Sequence, residues 1–319
     1  MALLESVPNV SEGRDPAAVA AIAAAFERAG ARALDTHVDG SHHRAVITLV
    51  GEDEALERGL VAGIDEARRR IDLRRHDGVH PRVGAADVVP VVPLVAADHE
   101  RAAHVARRVG ASVGEELGIP VFLYGEVAGG RRPAFFRRGG LDELARRNDA
   151  GELAPDFGPR QLDPGTGAVL LGVRKPLVAF NLELRGSIEV ARAVAAAVRA
   201  SSGGLPGVQA LGLSLGGGKV EVSTNVIDLD ATLPHAMVAR IEKEAVARGA
   251  AIGRGELVGL IPASAVAAAA RDVGVAEPLD DAGVPTATAL AAAARALRLD
   301  RLDDDRVLEW HLARFEDAR

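Results

Sequence analysis

Cysteine is absent from all 319 residues, and that one absence removes disulfides, thiolate metal sites and a thiol nucleophile together. Long apolar runs are missing too: none reaches the roughly 20 residues a membrane-spanning helix needs. The opening MALLE has neither a basic start nor a long apolar core, so a cytoplasmic protein with no membrane partner is expected. Positive charge is in deficit. A formal net charge of -7 argues against nonspecific nucleic-acid binding, although Arg131-Arg132 and Arg137-Arg138 still make a local positive field for an anionic ligand. No phosphate loop is present either, because the glycines at 165–167 and 216–218 have no lysine and hydroxyl pair opening a helix, and they read as turns.

What remains is a globular composition, 48% apolar and 26% charged, in a chain long enough for two domains of about 100 to 200 residues each. Residues 3–10 read as a strand. Asp15 and Pro16 then cap and open a helix whose inward face is Val19, Ile22, Ala23 and Phe26, ending at Gly30. Strands follow at 31–37 and 44–50, a helix with Leu56, Leu60, Ile64 and Ala67 on one stripe, and a valine-rich strand at 87–94. A further helix at 97–118 and a strand at 120–124 extend this unit, with a short helix at 141–147. A second β-α-β-β-α-β series runs through strands at 177–184, 208–215, 220–228 and 251–260, with helices at 187–200 and from Pro234. The expected fold is α+β: two ferredoxin-like subdomains, 1–177 and 178–319, with mixed sheets, helices on the outer faces and a cleft between them. Alanine-rich helices at 263–270 and 286–296 are expected to pack outside.

The stretch RRHDGVHPRVGA at 74–85 concentrates titratable and rigid residues between a helix pattern and a strand pattern. Pro81 biases His80 toward extended backbone, while Gly78 and Gly84 permit sharp turns. The imidazole is thereby presented. It can take and return a proton near neutral pH, and Arg82 beside it can grip a carboxylate by a two-pronged contact. In the split β-α-β layout the loop after the first strand, the hairpin at 39–43 and the loop at 74–84 emerge at one sheet edge, which would gather Asn9, His42, His43, Arg44 and His80. One alternative is a metal-dependent hydrolase using His37, His42, His43, His76 and His80. Another is a ligand-binding or partner-binding protein without turnover.

Several blocks together resemble the formiminotransferase family: SVPNVSEG at 6–13, HPRVGA at 80–85, VFLYGE at 121–126, PDFGP at 155–159, GVRK at 172–175, LVAFNL at 177–182, VSTN at 222–225 and LVGLIP at 257–262. They occur in the family's order and span the chain to about Pro262. The likeness is to members without the cyclodeaminase domain. It implies transfer of a formimidoyl group from N-formimidoyl-L-glutamate to N5 of tetrahydrofolate in histidine degradation, with folate as co-substrate, no metal, and a homodimer with a positively lined tunnel between subdomains.

By the same resemblance His80 is the catalytic residue, and Asn9, Asp39, Arg44, Arg82, Arg174 and Lys175 contact substrate. Folate falls on Gly158, Pro159, Arg160, Gly165, Thr166 and Gly167, and on Val208, Gln209, Ala210 and Gly212. The chain departs from the family at Ser41-His42-His43 before Arg44, where an asparagine is usual, and at Val79, where an acidic residue is common. His37 or Asp39 fills the acidic position of the hairpin. These departures bear on the donor, and keep an N-formylglutamate-dependent formyltransferase as the second reading.

Overall fold

The structure, a computed structural model, describes residues 3–317, so the first two residues of the MALLE start lie outside it. The chain forms two compact units, Met1–Lys175 and Pro176–Arg319.

In the first unit β1 (Leu4–Ser6) and β2 (Asn9–Val10) are interrupted by Pro8, which has no N–H to give to a ladder. The register is unbroken across it: Ser6 pairs with Leu49 and Asn9 with Val46, and the Pro8 carbonyl accepts from Ile47 N at 3.0 Å. Helix α1 (Pro16–Arg28) starts as its sequence dictates, with the Asp15 carboxylate accepting from Ala17 N and Ala18 N. Strands β3 (Arg32–Asp39) and β4 (Arg44–Gly51) form the hairpin, followed by α2 (Asp53–Arg70) and β5 (Ala86–Pro93). Helices α1 and α2 meet at Gly63, where a Cβ would lie 2.2 Å from the Phe26 ring. Next come α3 (His99–Glu116), β6 (Val121–Gly125), α4 (Pro133–Arg137), α5 (Gly140–Asp149) and β7 (Val169–Val173).

The sheet runs β3, β4, then β1 and β2 sharing one position, then β5, β7 and β6. Its antiparallel part is the ferredoxin-like arrangement; β7 and β6 extend it in parallel beside β5. Strand β7 is inserted between β5 and β6, and the sequence pattern did not announce it. Its VLLGV is a continuous buried run without alternation, as a strand covered on both faces must be.

The second unit comprises β8 (Val178–Arg185), α6 (Ile188–Val198), β9 (Val208–Gly216), β10 (Lys219–Val226), α7 (Pro234–Val246) and β11 (Ala251–Val258). Its sheet order, β11-β8-β10-β9, is antiparallel throughout and is the ferredoxin-like order. Helices α8 (Ala263–Asp272) and α9 (Ala287–Ala296) do not simply cover the outside as expected. Their alanines, Ala265, Ala269, Ala289 and Ala293 among them, are buried within the unit's core, because small side chains let two helices pack closely. Helix α10 (Leu308–Asp317) follows.

Candidate active site

Strand direction gathers the site at one edge of the first sheet. The end of β2, the β3–β4 hairpin and the start of β5 meet there, tied by Ser11 Oγ donating to the Gly84 carbonyl at 2.7 Å and by Ser11 N donating to Ala85 O at 2.8 Å. Asn9, His42, His43, Arg44 and His80 are brought together by this edge.

His80 is half-buried. Arg44 Nη1 donates toward its Nδ1 at 3.0 Å, and the same nitrogen faces the Pro81 carbonyl at 2.8 Å. The two partners make opposite demands: the guanidinium needs a lone pair on Nδ1 and the carbonyl needs a proton there. Whichever prevails decides whether Nε2, which has no hydrogen-bond partner among the described residues, carries a proton or a lone pair. Withdrawal from solvent, with Arg44, Arg137 and His42 alongside, holds the imidazole well below its ordinary pKa of 6.5, so it is neutral at pH 7.

Arg44 opens β4 and has all three guanidinium nitrogens engaged. Nε and Nη2 donate to Asn9 Oδ1 at 2.9 and 2.6 Å, while Nη1 also reaches Asp87 Oδ2 at 3.1 Å. Burial and the repulsion of Arg137 press its pKa down to about 9 against the pull of Asp87, which leaves it cationic at neutral pH.

Asp87 is 0% exposed and accepts from Val83 N at 2.8 Å and from Arg137 Nη2 as well as from Arg44. A break in register explains its direction. Asn9 pairs with Val88 and Val10 with Ala86, so Asp87 is the extra residue of a bulge. A bulge re-aims its side chain out of the alternation.

Arg82 is folded back on its own loop. Nη2 donates to the carbonyls of His42 at 3.2 Å and Gly78 at 3.1 Å and to that of His80, and Nη1 lies 2.6 Å from His76 Nε2. Asp39, at the end of β3, accepts from Ser41 N and His42 N and pairs with His42 Nδ1; burial opposes this charge, but the His42 contacts outweigh it and hold the pKa at about 2. The hairpin acid that turns inward is therefore Asp39. His43 stacks on His76 with centroids 4.0 Å apart and meets Glu12 through Nε2 at 3.0 Å. Thus the HH departure from the family is built into the loop's packing. The histidines are mostly engaged with carboxylates, carbonyls and Arg82, and among the described residues no trio of His, Cys, Asp or Glu is arranged to hold a metal ion.

The expected folate residues divide. Gly165, Thr166 and Gly167 lie directly against the 83–85 segment: Thr166 O accepts from Ala85 N at 2.8 Å, and a Cβ on Gly167, whose φ is +73°, would stand 2.1 Å from Val83 O. Gly158 packs on α3 and Ile119, beside exposed Pro159, and Arg160 exchanges hydrogen bonds with Asn148. On β9 the side chains of Val208 and Ala210 are buried, and Gly212 abuts α6, so only Gln209 projects from the other face of the sheet. Arg174, half-buried just past β7, donates to the Lys175 carbonyl at 2.9 Å, and Lys175 is exposed.

Sequence reading did not single out Asp87, Glu12 or Tyr124, and treated Arg137 only as part of a positive field. A signal existed for Asp87: it is the one charge in the otherwise apolar run ADVVPVVP.

A profile of the formiminotransferase domain, N-terminal subdomain, matches residues 3–174, and one of the formiminotransferase domain matches residues 179–276. The chain is 37% identical over 276 residues to a glutamate formimidoyltransferase of Thermoplasma acidophilum, covering 83% of this chain and 90% of that one. To the glutamate formimidoyltransferase of Streptococcus pyogenes serotype M1 it is 34% identical over 272 residues, again 83% and 90%. It is 37% identical over 280 residues to the formimidoyltransferase-cyclodeaminase of Sus scrofa, of which it spans 52%. With both halves of the domain matched in order and the His80 edge assembled from the motifs that carry the likeness, this chain belongs to the formiminotransferase family.

Proposed function

We infer that the protein transfers a formimidoyl group from N-formimidoyl-L-glutamate to N5 of tetrahydrofolate, releasing L-glutamate, as a step of histidine degradation. The observation that carries this reading is the neutral His80, its Nδ1 held between Arg44 and Pro81 O and its Nε2 without a hydrogen-bond partner among the described residues.

The chemistry follows from what must move. Folate N5 attacks the amidine carbon, the N5–C bond forms, and the glutamate nitrogen leaves once it has gained a proton. One proton travels from N5 to that nitrogen. His80 Nε2 takes it while Nδ1–H faces Pro81 O, and the imidazolium then returns it from Nε2 to the leaving nitrogen with Nδ1–H still on Pro81 O. Neutrality also suits the donor, whose amidinium is itself a cation. No covalent enzyme intermediate is required. Arg44, Arg137 and Asp87 fix the ring, and much of the remaining acceleration comes from holding two anionic molecules in register.

The expected location is the cytoplasm and the expected assembly a homodimer, which light scattering on purified protein tests. For the reaction, the measurement is a donor panel with tetrahydrofolate, followed through the folate product's absorbance. Turnover of N-formimidoyl-glutamate in preference to N-formylglutamate is the expected result; turnover of the formyl donor alone sinks the assignment.

A further inference from the structure

On the sheet face that α4 packs against, two polar atoms are buried with no acceptor among the described residues: the Tyr124 hydroxyl and Nε of Arg137. Tyr124 is only 3% exposed. Its ring direction follows from a glycine. Tyr124 pairs with Gly172 on β7, and Gly172 with Pro90 on β5. A Cβ on Gly172 would lie 2.7 Å from Tyr124 Cδ1 and 2.8 Å from Cγ, so the ring lies over that glycine, on the β5 side of its own strand.

Arg137 comes down on the same face from the end of α4. Its neighbour Phe136 packs 5.5 Å from Phe122, and its Nη2 rests on Asp87. Arg174, one residue beyond β7, bears on the tyrosine oxygen by charge and as a side-chain donor, and since a guanidinium only donates it leaves the hydroxyl proton without an acceptor.

Two buried donors with nothing to donate to are unfavourable unless an acceptor joins them. A carboxylate is acceptor-only and satisfies both at once. We propose that Tyr124 and Arg137, with Arg174 beside them, hold a carboxylate of the glutamyl donor and thereby set its amidine carbon against His80. This rests on the reaction assigned above. Arg137 is what joins anchor to chemistry, since the guanidinium whose Nε is open touches through Nη2 the carboxylate that positions Arg44 and His80. Each carboxylate of the donor is only a few bonds from its amidine carbon. The glutamyl tail of folate is separated from N5 by the whole aminobenzoyl group, so it does not reach this anchor when N5 is at His80.

The test is calorimetric titration, without turnover, of N-formimidoyl-L-glutamate, its two monoamides and tetrahydrofolate into wild-type protein and Tyr124→Phe. The expected result is a donor Kd raised about tenfold or more in the variant, as for a hydrogen bond to a charged group. Folate Kd and Tm should be unchanged, and the monoamide lacking the anchored carboxylate should bind both proteins equally. Arg137→Lys, which keeps the charge but removes Nε, should weaken the donor similarly. Unchanged donor affinity in Tyr124→Phe overturns the proposal, as does a lowered Tm with both ligands weakened together. A wild-type protein that binds the donor and transfers nothing to tetrahydrofolate removes the assigned reaction while leaving the anchor in place.

Discussion

At His80 one nitrogen serves two partners with opposite requirements, and the other has no hydrogen-bond partner among the described residues. Replacing His80 by alanine should lower kcat/KM by about two to four orders of magnitude, the usual worth of a general acid-base group, with folate affinity little changed. Wild-type turnover by that variant would falsify the role. Because desolvation and the adjacent guanidinium groups push the imidazole below 6.5, the acid limb of the kcat/KM profile should lie well under pH 6.5. A limb at or above 6.5 would mean that some other group titrates. The stability effect has a definite sign: the unfolded chain binds this proton more readily, so stability falls as pH drops below 6.5. Arg44→Lys keeps the charge and loses the fork that spans Asn9, Asp87 and His80; kcat should fall with KM for donor nearly constant. Asp87→Asn leaves Arg44 and Arg137 buried with a weakened counter-charge and should cost about 3 to 5 kcal/mol in urea unfolding.

Among the elements, the longer helices were plain in the sequence because each carries an apolar stripe, whereas α4 and α10 were not foreseen. Asp15-Pro16 for α1 and Ser187 for α6 are local signals that the structure uses as written. The six-element order of each ferredoxin-like part followed from the same periodicity, and strand direction alone placed Asn9, Arg44 and His80 at one edge. Strand β7 was not foreseen, since five buried residues after a long loop have no period to detect. Nor was Asp87's role, because a bulge is a property of pairing and cannot be seen in one strand. Arg82 looked like a carboxylate grip by proximity to His80, but its partners are the carbonyls of Gly78 and His80 in its own loop and of His42 in the β3–β4 hairpin. The 165–167 turn bears on the site through contact: Gly167→Ala places a methyl against Val83 O at a left-handed φ of +73°. It should destabilise by about 1 to 3 kcal/mol and reduce turnover, because the 83–85 segment carries the His80 loop. Thermal unfolding and kinetics on the same preparation check both.

For the molecule as a whole, the apolar clusters do not mix: those of the first unit draw on residues up to Val173 and that of the second on residues from Val178. Each unit has its own core, so a fragment of residues 176–319 should unfold cooperatively alone; a fragment without a cooperative transition by circular dichroism would refute this. Acid sensitivity should concentrate in the first unit. Asp39 at about 2, with Glu12 and Asp87 also lowered, binds protons more weakly folded than unfolded, because histidine, arginine and backbone donors outweigh burial. That stability is complete only above the unfolded carboxylate values of 3.8 to 4.5 and is lost as pH falls through them toward 2.

The place of β7 also bears on synthesis. Among the described residues the one ladder of strand β6 is with β7, which is made last in its unit. On the ribosome, Val121–Gly125 must therefore wait for its ladder while some forty further residues emerge, with only the Asp156–Phe157 bridge to Val121 made earlier. A nascent chain halted before Val169 should expose a sticky edge to chaperones, and one released just past Val173 should not.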